Sequence, residues 1–533
     1  MRRTYIIVFL AVLFLGLRIE HGVLFYDLGR DKRYQMNAAG NFAAGNGLSH
    51  CITFADDIAK VTCQEVTWWS AGYPLVIGSL YKVTDDLITA DFILILFGMI
   101  TFLFASFRFF SLWSDDTHWA FGAFLVFAGF SFTPFNYLGT NDLLSTSFII
   151  LAISEASFGL KEHKRWGFVV AGLAAFAAAF FKFNFYPLLA IVPAGLTLLA
   201  LLRRDFTLIK YVLYFLAPIA TCFLVLYAVF PDHVLPPRGV WVQGWNWHNL
   251  ASQDPFGTKA LFFIDFLLRR LDSGSMLGFV LLGLIHAFSI AAVLGMVYAS
   301  GRYAKRNYRS ESCDGRTLAA VLGIVTTGTV VAYLVWLSIR LPTFHHPIYI
   351  PWTFVQETRY YAPAMVLLIF AVFILPLHVD RRNSLLRLAS LTLVIAACSY
   401  AVTYWGYKNF DYFYNGRVEG SFAGPHRDDA TVAEFLKNDR TLDRRTTVLG
   451  FMTHAGAYGY PILLIETDPA RFPFPWYDWY VGSIPVNSSE RRTLLVTIHK
   501  SPTEADRAIV DRFQGVRILE LETYDLYRLE ILP

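Results

Sequence analysis

Long apolar runs separated by short polar stretches dominate the sequence. A membrane-spanning helix needs about 20 mostly apolar residues, and eleven segments approach this length. The first covers residues 5–17 and resumes at 22–26; because no small-residue cleavage site follows it, we interpret it as a retained span rather than a signal peptide. The other ten are 88–107, 118–138, 143–160, 166–181, 184–202, 208–230, 277–300, 317–341, 358–379 and 385–404. This pattern predicts a polytopic α-helical membrane protein.

Lysine and arginine residues collect in alternate loops between these runs. The groups are Arg2 and Arg3; Arg108; Lys161, Lys164 and Arg165; Arg203, Arg204 and Lys210; Arg302, Lys305, Arg306, Arg309 and Arg316; Arg381, Arg382 and Arg387. Because such residues favour the cytoplasmic side, the N-terminus is predicted to be cytoplasmic, in a bacterial inner membrane or its equivalent. The outer face then holds loops 27–87, 231–276 and 342–357. The segment after residue 404 is outside as well.

The C-terminal segment has a different pattern. Helix-like periodicity at 428–438 and 504–513 accompanies β-branched or alternating runs. Those runs are 446–452, 493–498, 516–521 and 524–531. Such an alternation is typical of a small α/β domain. We therefore predict a transmembrane domain over 1–404, which includes the first outer loop, and an extracytoplasmic α/β domain over 405–533.

Composition agrees with membrane insertion. The chain is 55% hydrophobic and 16% charged, against about 25% charged in soluble domains, and its mean hydropathy is +0.45. Membrane lipid is thus an expected partner. The net charge of +4 is spread along the chain without a basic block interleaved with aromatic residues, so no nucleic-acid partner is expected.

The five cysteines show no C-x-x-C spacing. Cys51 and Cys63 share the first outer loop, and two interpretations stay open. In an oxidising compartment they would form a disulfide; otherwise they are two free thiols.

The first outer loop begins with acids at the membrane boundary. Asp27 and Asp31 precede a stretch from Tyr34 to Phe42 with small and aromatic residues at helical spacing, which ends at Gly45 and Gly47. This predicts a short helix along the membrane surface. Its carboxylates are either solvated or placed as a base beside a reactive group.

A second feature of this loop is an apolar run after Pro74. The run is too short to span, so we expect it to dip into the membrane or to lie in its interface.

Basic residues at the outer ends of spans oppose the charge rule. Lys182 ends the fifth span, Arg359 begins the tenth, and Arg340, His345 and His346 flank the preceding loop. Each alone is explained by snorkelling or by pairing with an acid. As a set, they suit a lipid phosphate leaving group.

Asp142 is a third acid on the predicted outer face, at the start of the fourth span. It is either a helix N-cap or a group that orients an acceptor or a cation. The adjacent pair Asp56 and Asp57 is a weak metal signal, so we infer no metal and assign no cofactor. The chain has no Walker loop, G-x-S-x-G, H-E-x-x-H or dinucleotide fingerprint, which argues against soluble nucleotide chemistry.

Four short motifs follow one another along the chain, all on the predicted outer face. Asp31 is followed by Ala39, Gly45 and Gly47 at plus eight, fourteen and sixteen. The others are Gly72-Tyr73-Pro74-Leu75, Asn141-Asp142 and Arg359-Tyr360-Tyr361-Ala362-Pro363. Together they resemble the GT-C fold glycosyltransferases that use polyprenyl-phosphate sugars, a group that includes protein O-mannosyltransferases and lipid A aminoarabinose transferases. The resemblance covers residues 1 to about 400.

The resemblance implies a hexosyl or pentosyl transfer with inversion from a polyprenyl-phosphate-linked sugar to the hydroxyl of an acceptor glycan, lipid or protein. Asp31 would take the acceptor proton. The departing phosphate would be stabilised by Arg359, with Lys182 and Arg33. The residues expected to contact substrate are Tyr34, Asp142, Tyr360 and His346.

The chain departs from the family pattern at Lys32 and Arg33, where an acid and a small residue often follow the key aspartate. The choice of Asp27 or Asp31 as the base therefore stays open, and the two cations would add positive charge near the donor.

Two other classes are alternatives. A transporter or flippase of an amphipathic substrate should carry charges or broken helices in mid-span, often in two related halves, whereas here charges gather at one face and no repeat is found. An O-antigen ligase or polymerase should have large arginine-rich outer loops, and these loops are only moderately basic.

Overall fold

The computed structural model describes the chain in part. The described residues are 16, 30–54, 57–67, 69–113, 140–234, 294–295, 297–310, 314–340, 431–432, 435, 438–439, 442, 447–451, 476–477, 487–500, 504–521 and 524–533. The chain divides into two compact units. Met1–Leu15 and Ile95–Trp405 form the helical unit, and Gly16–Leu94 and Gly406–Pro533 form the sheet unit.

The described residues include nine α-helices and seven strands, and 297–307 are also helical. The helices are α1 Arg30–Ala43, α2 Gly72–Thr84, α3 Leu87–Trp113, α4 Thr140–Lys161, α5 Arg165–Phe181, α6 Ile191–Arg203, α7 Ile209–Val229, α8 Asp314–Arg340 and α9 Glu504–Arg512. The strands are β1 Ser49–Phe54, β2 Asp57–Glu65, β3 Thr447–Phe451, β4 Trp476–Tyr477, β5 Arg492–His499, β6 Val516–Glu520 and β7 Tyr524–Ile531.

Five described stretches are long and apolar enough to cross a membrane: Thr89–Trp113, Asn141–Lys161, Phe183–Arg203, Phe206–Val229 and Gly315–Tyr333. Each coincides with a predicted span, and the predicted span 166–181 coincides with α5, a helix of 17 residues. The chain is therefore a multi-pass integral membrane protein. The predicted spans at 118–138, 358–379 and 385–404 lie outside the described residues, as do most of the first and most of 277–300, so the total of eleven stays a prediction.

The span predicted at 184–202 differs from a single α-helix. Its first part, Phe183–Ala190, is a 3-10 helix that contains Pro187, and α6 begins only at Ile191. Proline has no N–H to donate to the preceding turn. The tighter 3-10 geometry is accordingly found at this position.

Helix α4 lies at the centre of the helical unit: 83% of its most apolar stretch is buried, against 17% of the corresponding stretch of α7. Small residues allow its close packing. A Cβ added at Gly167 of α5 would lie 2.6 Å from the Cα of Gly159. On the side of α3, the hydroxyls of Ser147 and Ser154 lie 3.5 and 3.4 Å from the carbonyl oxygens of Gly98 and Ala105. Helices α3 and α4 therefore run parallel.

The sheet unit contains seven described strands in the order β2-β1-β4-β3-β5-β7-β6. Strands β1 and β2 form an antiparallel hairpin from the first outer loop, and β1 pairs in parallel with β4 of the C-terminal segment. Strands β3, β5, β6 and β7 and helix α9 coincide with elements predicted from sequence, whereas β4 and the hairpin were not predicted. Ile58 of the hairpin packs in one cluster with Leu494, Val496 and Leu529. Residues 341–430 lie outside the described part, so the boundary near residue 404 stays a prediction.

Polar contacts also join the hairpin to the C-terminal segment. The Asp57 carboxylate accepts hydrogen bonds from the backbone N–H groups of Ser489 (2.9 Å) and Ala59 (3.0 Å). The side chain of Arg492 donates to the carbonyl of Ala59 at 3.2 Å. Hydrogen bonding from Ser489, through its side chain and its backbone, lowers the pKa of the Asp57 carboxyl.

Candidate functional site

Helix α1 is the predicted boundary helix, and it carries Asp31 as its second residue. It ends where the sequence indicated. The N–H of Gly45 bonds to the carbonyl of Phe42 at 3.0 Å, and both Gly45 (φ 86°) and Gly47 (φ 75°) adopt the left-handed backbone that glycine tolerates. Met36, Ala38 and Ala39 of this helix have no exposed surface. Helix α1 therefore packs against other parts of the protein through these residues.

Helix α2 packs against α1. A Cβ added at Gly78 would lie 2.5 Å from the carbonyl oxygen of Ala39 and 2.8 Å from the ring of Phe42. Lys82 lies 5.2 Å from the centre of the same ring. Glycine at position 78 therefore permits the close approach of α1 and α2, in the short apolar run that follows Pro74.

A buried carboxylate lies where α1, α2 and α3 begin. Asp91 of α3 has no exposed surface and forms an ion pair with Lys32 of α1. The hydroxyl of Tyr73 of α2 donates to the other carboxylate oxygen at 2.6 Å. Taking an ion out of water costs several kcal/mol unless it is paired and hydrogen-bonded. Asp91 meets both conditions, so Lys32, Tyr73 and Asp91 form one cluster, called the Asp91 cluster below.

A second set of contacts holds the middle of α1 against the hairpin. The side-chain oxygen of Asn37 accepts from the N–H of Cys51 at 3.1 Å, and the amide of Asn41 donates to the carbonyl of Ser49 at 2.7 Å. Cys51 and Cys63, which face each other across β1 and β2, form a disulfide. Of the two interpretations of these cysteines, the structure has the bonded one.

In the helical unit, Asp142 and Lys182 form an ion pair, with side-chain exposures of 5% and 15%. Asp142 lies in the first turn of α4, and Lys182 follows the last residue of α5 in an extended conformation. The Ser145 hydroxyl, which donates to the carbonyl of Ala178 at 2.9 Å, holds the two helix ends together. Asp142 thus lies where the helix dipole favours an acid and also pairs with a cation, so both interpretations fit, and a contact with substrate stays a prediction.

The described spans carry their charges near their ends. Arg108 and Glu155 pair at 2.7 Å toward the C-terminal ends of α3 and α4, away from Asp91 and Asp142 near the starts of those helices. The stretches 92–107, 143–154 and 166–181 contain no charged residue. Mid-span charge, which a transporter commonly uses, is therefore absent from these stretches.

The remaining predicted site residues are placed only in part. Arg33 and Tyr34 belong to α1, but their side chains and that of Asp31 lie outside the described residues. Asp27, His346, Arg359 and Tyr360 lie outside them altogether. Their roles stay predictions.

Sequence reasoning missed Asp91, named Tyr73 only as part of a motif without a role, and treated Lys32 only as a departure from the family pattern. A signal existed for Asp91, since it is a lone acid within a predicted apolar span. An ionisable residue in that setting needs a partner. The partner was not visible because Lys32 lies in a different element, on the far side of the hairpin in sequence.

These features define a class: a multi-pass helical membrane protein with an acid-bearing boundary helix fixed to the end of an apolar span. No family model matches the chain, and no curated protein matches it. Among solved structures, ArnT from Cupriavidus metallidurans bound to undecaprenyl phosphate aligns over 99% of this chain and 98% of that chain, with 12% identity and a TM-score of 0.48. ArnT from the same organism in the apo state aligns over the same shares at 12% identity, with a TM-score of 0.44. Both TM-scores are below 0.5, so the functional proposal depends on the residues of this chain.

Proposed function

We propose that this protein is an integral-membrane glycosyltransferase that moves a sugar from a polyprenyl-phosphate donor to an acceptor hydroxyl on the extracytoplasmic side. The observation that carries the proposal is the seating of α1. An acid, Asp31, belongs to the first turn of a helix that is held by the buried Asp91 cluster at one end and by the hairpin in its middle. A carboxylate that served only solubility would not need its helix to be fixed by buried contacts.

The proposed reaction is a single displacement. The acceptor oxygen forms a bond to the anomeric carbon as the bond from that carbon to the donor phosphate breaks. The acceptor proton passes to the carboxylate of Asp31, and polyprenyl phosphate leaves. General base catalysis by a positioned carboxylate contributes about 10²- to 10⁴-fold to a rate.

Cations would stabilise the leaving phosphate, whose charge grows in the transition state. Arg359, Lys182 and Arg33 have this role in the proposal, and Tyr34, Tyr360, Asp142 and His346 would contact the substrates. The Asp142–Lys182 pair supports the assignment of Lys182, because it holds an ammonium group at a helix end with 15% of its side chain exposed. An incoming phosphate can replace the carboxylate as its partner.

The outer location is supported by the disulfide. Disulfides persist in oxidising compartments and are rare in the cytosol. The bonded pair Cys51 and Cys63 lies in the hairpin that contacts α1. The helix and its acid would then be on the side where the charge rule also puts them.

A panel of radiolabelled polyprenyl-phosphate sugars, incubated with the purified protein, tests the proposal. We expect release of free polyprenyl phosphate from at least one donor in the presence of an acceptor. A variant with the exposed acid of the same loop replaced, Glu65→Gln, is the matched control and should retain the release. Turnover of no donor, combined with vectorial movement of an intact lipid, would instead favour a flippase.

A further inference from the structure

Asp91 is not accounted for by the reaction itself. It is an acid with no exposed surface near the start of a span whose next charged residue is Arg108. Buried ion pairs are weak evidence for stability, since apolar residues of similar size often serve equally well. Stability alone therefore does not explain why an acid is buried at position 91.

The geometry of the cluster points to orientation. Lys32 and Tyr73 come from the first turns of α1 and α2, and Asp91 is the fifth residue of α3, so one carboxylate joins the starts of three helices. Successive residues of an α-helix are about 100° apart around its axis. Holding Lys32 at Asp91 thus sets the rotation of the first turn of α1. The residue before Lys32 is Asp31.

The contacts in the middle of α1 act further along the helix. Asn37 and Asn41 are four residues apart and face the hairpin, more than a turn beyond Asp31. Helix ends fray unless they are tied. Among the contacts of the described residues, the Asp91 cluster fixes the end of α1 that bears the proposed base.

We propose that Asp91 is a positioning residue that holds Asp31 in its reactive place through Lys32, an inference that rests on the proposed function. A misplacement of about 1 Å costs about 10²-fold in rate in a positioned reaction. Tyr73 has a supporting part, because its hydroxyl fixes the second oxygen of the Asp91 carboxylate.

The test uses the full-length protein and the double variant Lys32→Met/Asp91→Asn. Removing both charges avoids leaving one ion buried without its partner, which would endanger folding. The control is Arg108→Met/Glu155→Gln, which removes the other ion pair of α3 without touching α1. Two properties are measured: hydrogen exchange of the amides of Arg30–Ala43, and the kcat and KM for the lipid-linked donor.

We expect the double variant to exchange about tenfold faster in the first turns of α1, with the strands β5 and β7 unchanged. We expect kcat to fall about 10- to 100-fold while KM for the donor changes little. The charge swap Lys32→Asp/Asp91→Lys should recover part of kcat, because it restores the pair. The control variant should match the wild type in both properties.

Three results would overturn the inference. Unchanged exchange in α1 would show that the cluster does not hold the helix. Faster exchange in α1 with a wild-type kcat would show that fixing the helix does not affect the reaction. An equal loss of kcat in the control variant would show a general effect of removing an ion pair. If the wild type turns over no donor, the proposed function fails, and the exchange data still decide whether the cluster fixes α1.

Discussion

Among the described residues, each of the two units holds a buried pair of lysine and aspartate, and these two pairs differ in what they join. Lys32 and Asp91, with side-chain exposures of 10% and 0%, tie a boundary helix to the start of a span, and Tyr73 adds a hydrogen bond. Asp142 and Lys182, at 5% and 15%, join two helices of the membrane-spanning set. The first pair is slightly more buried, and the second leaves 15% of the Lys182 side chain exposed. We propose different roles for the two pairs: the first positions the residue next to Lys32, and the second provides a lysine for the donor phosphate.

The largest expected effect concerns the acid beside the first pair. Asp31→Asn should lower sugar transfer by about 10²- to 10⁴-fold, because the amide cannot accept the hydroxyl proton. Transfer assays on membrane-inserted protein check this, with Glu65→Gln as the control. Full activity in Asp31→Asn together with loss in Asp27→Asn would move the base to Asp27.

Removal of the Asp142–Lys182 pair tests whether the two pairs have different roles. Asp142→Asn or Lys182→Met alone should destabilise the helical unit by about 3–5 kcal/mol, because each leaves a buried charge without its partner. The double variant should recover most of that stability and yet bind the lipid-linked donor more weakly, since the ammonium group is gone. Thermal unfolding and donor KM measure the two effects. A double variant with wild-type KM would make this pair purely structural.

Loss of the disulfide should affect the sheet unit alone. Cys51→Ser/Cys63→Ser should cost about 2–3 kcal/mol, because a bridge across a short loop limits the unfolded chain. Hydrogen exchange in β1 and β2 should rise while α4 and α5 stay unchanged. Cys222→Ser, which removes a free thiol from α7, is the control. Equal exchange in all three proteins would contradict the role assigned to the bridge.

The smallest effect is a pH dependence of the hairpin. Ser489 lowers the pKa of Asp57 below its ordinary 3.8, so its contribution to stability is present above pH 3.8 and is lost as the pH falls through the lowered value. Protection of β2 against hydrogen exchange should follow this course. Asp57→Asn should flatten it. Asp205→Asn, which alters a similar turn in the helical unit, should not.

Sequence periodicity predicted the described spans and strands β3, β5, β6 and β7 well, because each depends on its own apolar pattern. It missed β1, β2 and β4, and the pairing of β1 with β4 joins segments more than four hundred residues apart. It also missed Asp91, because a buried charge is explained by its partner, and Lys32 is brought to it only by folding. Asp142 and Lys182 were each selected from their positions at span ends, but their pairing was not foreseen.

The configuration of the transferred sugar tests the central claim most directly, since it reports how the bond to phosphate was replaced. A donor of defined anomeric configuration is turned over by the wild type, and the product is examined by NMR. One displacement assisted by the acid of α1 predicts the inverted configuration at the anomeric carbon. A retained configuration would contradict that reaction.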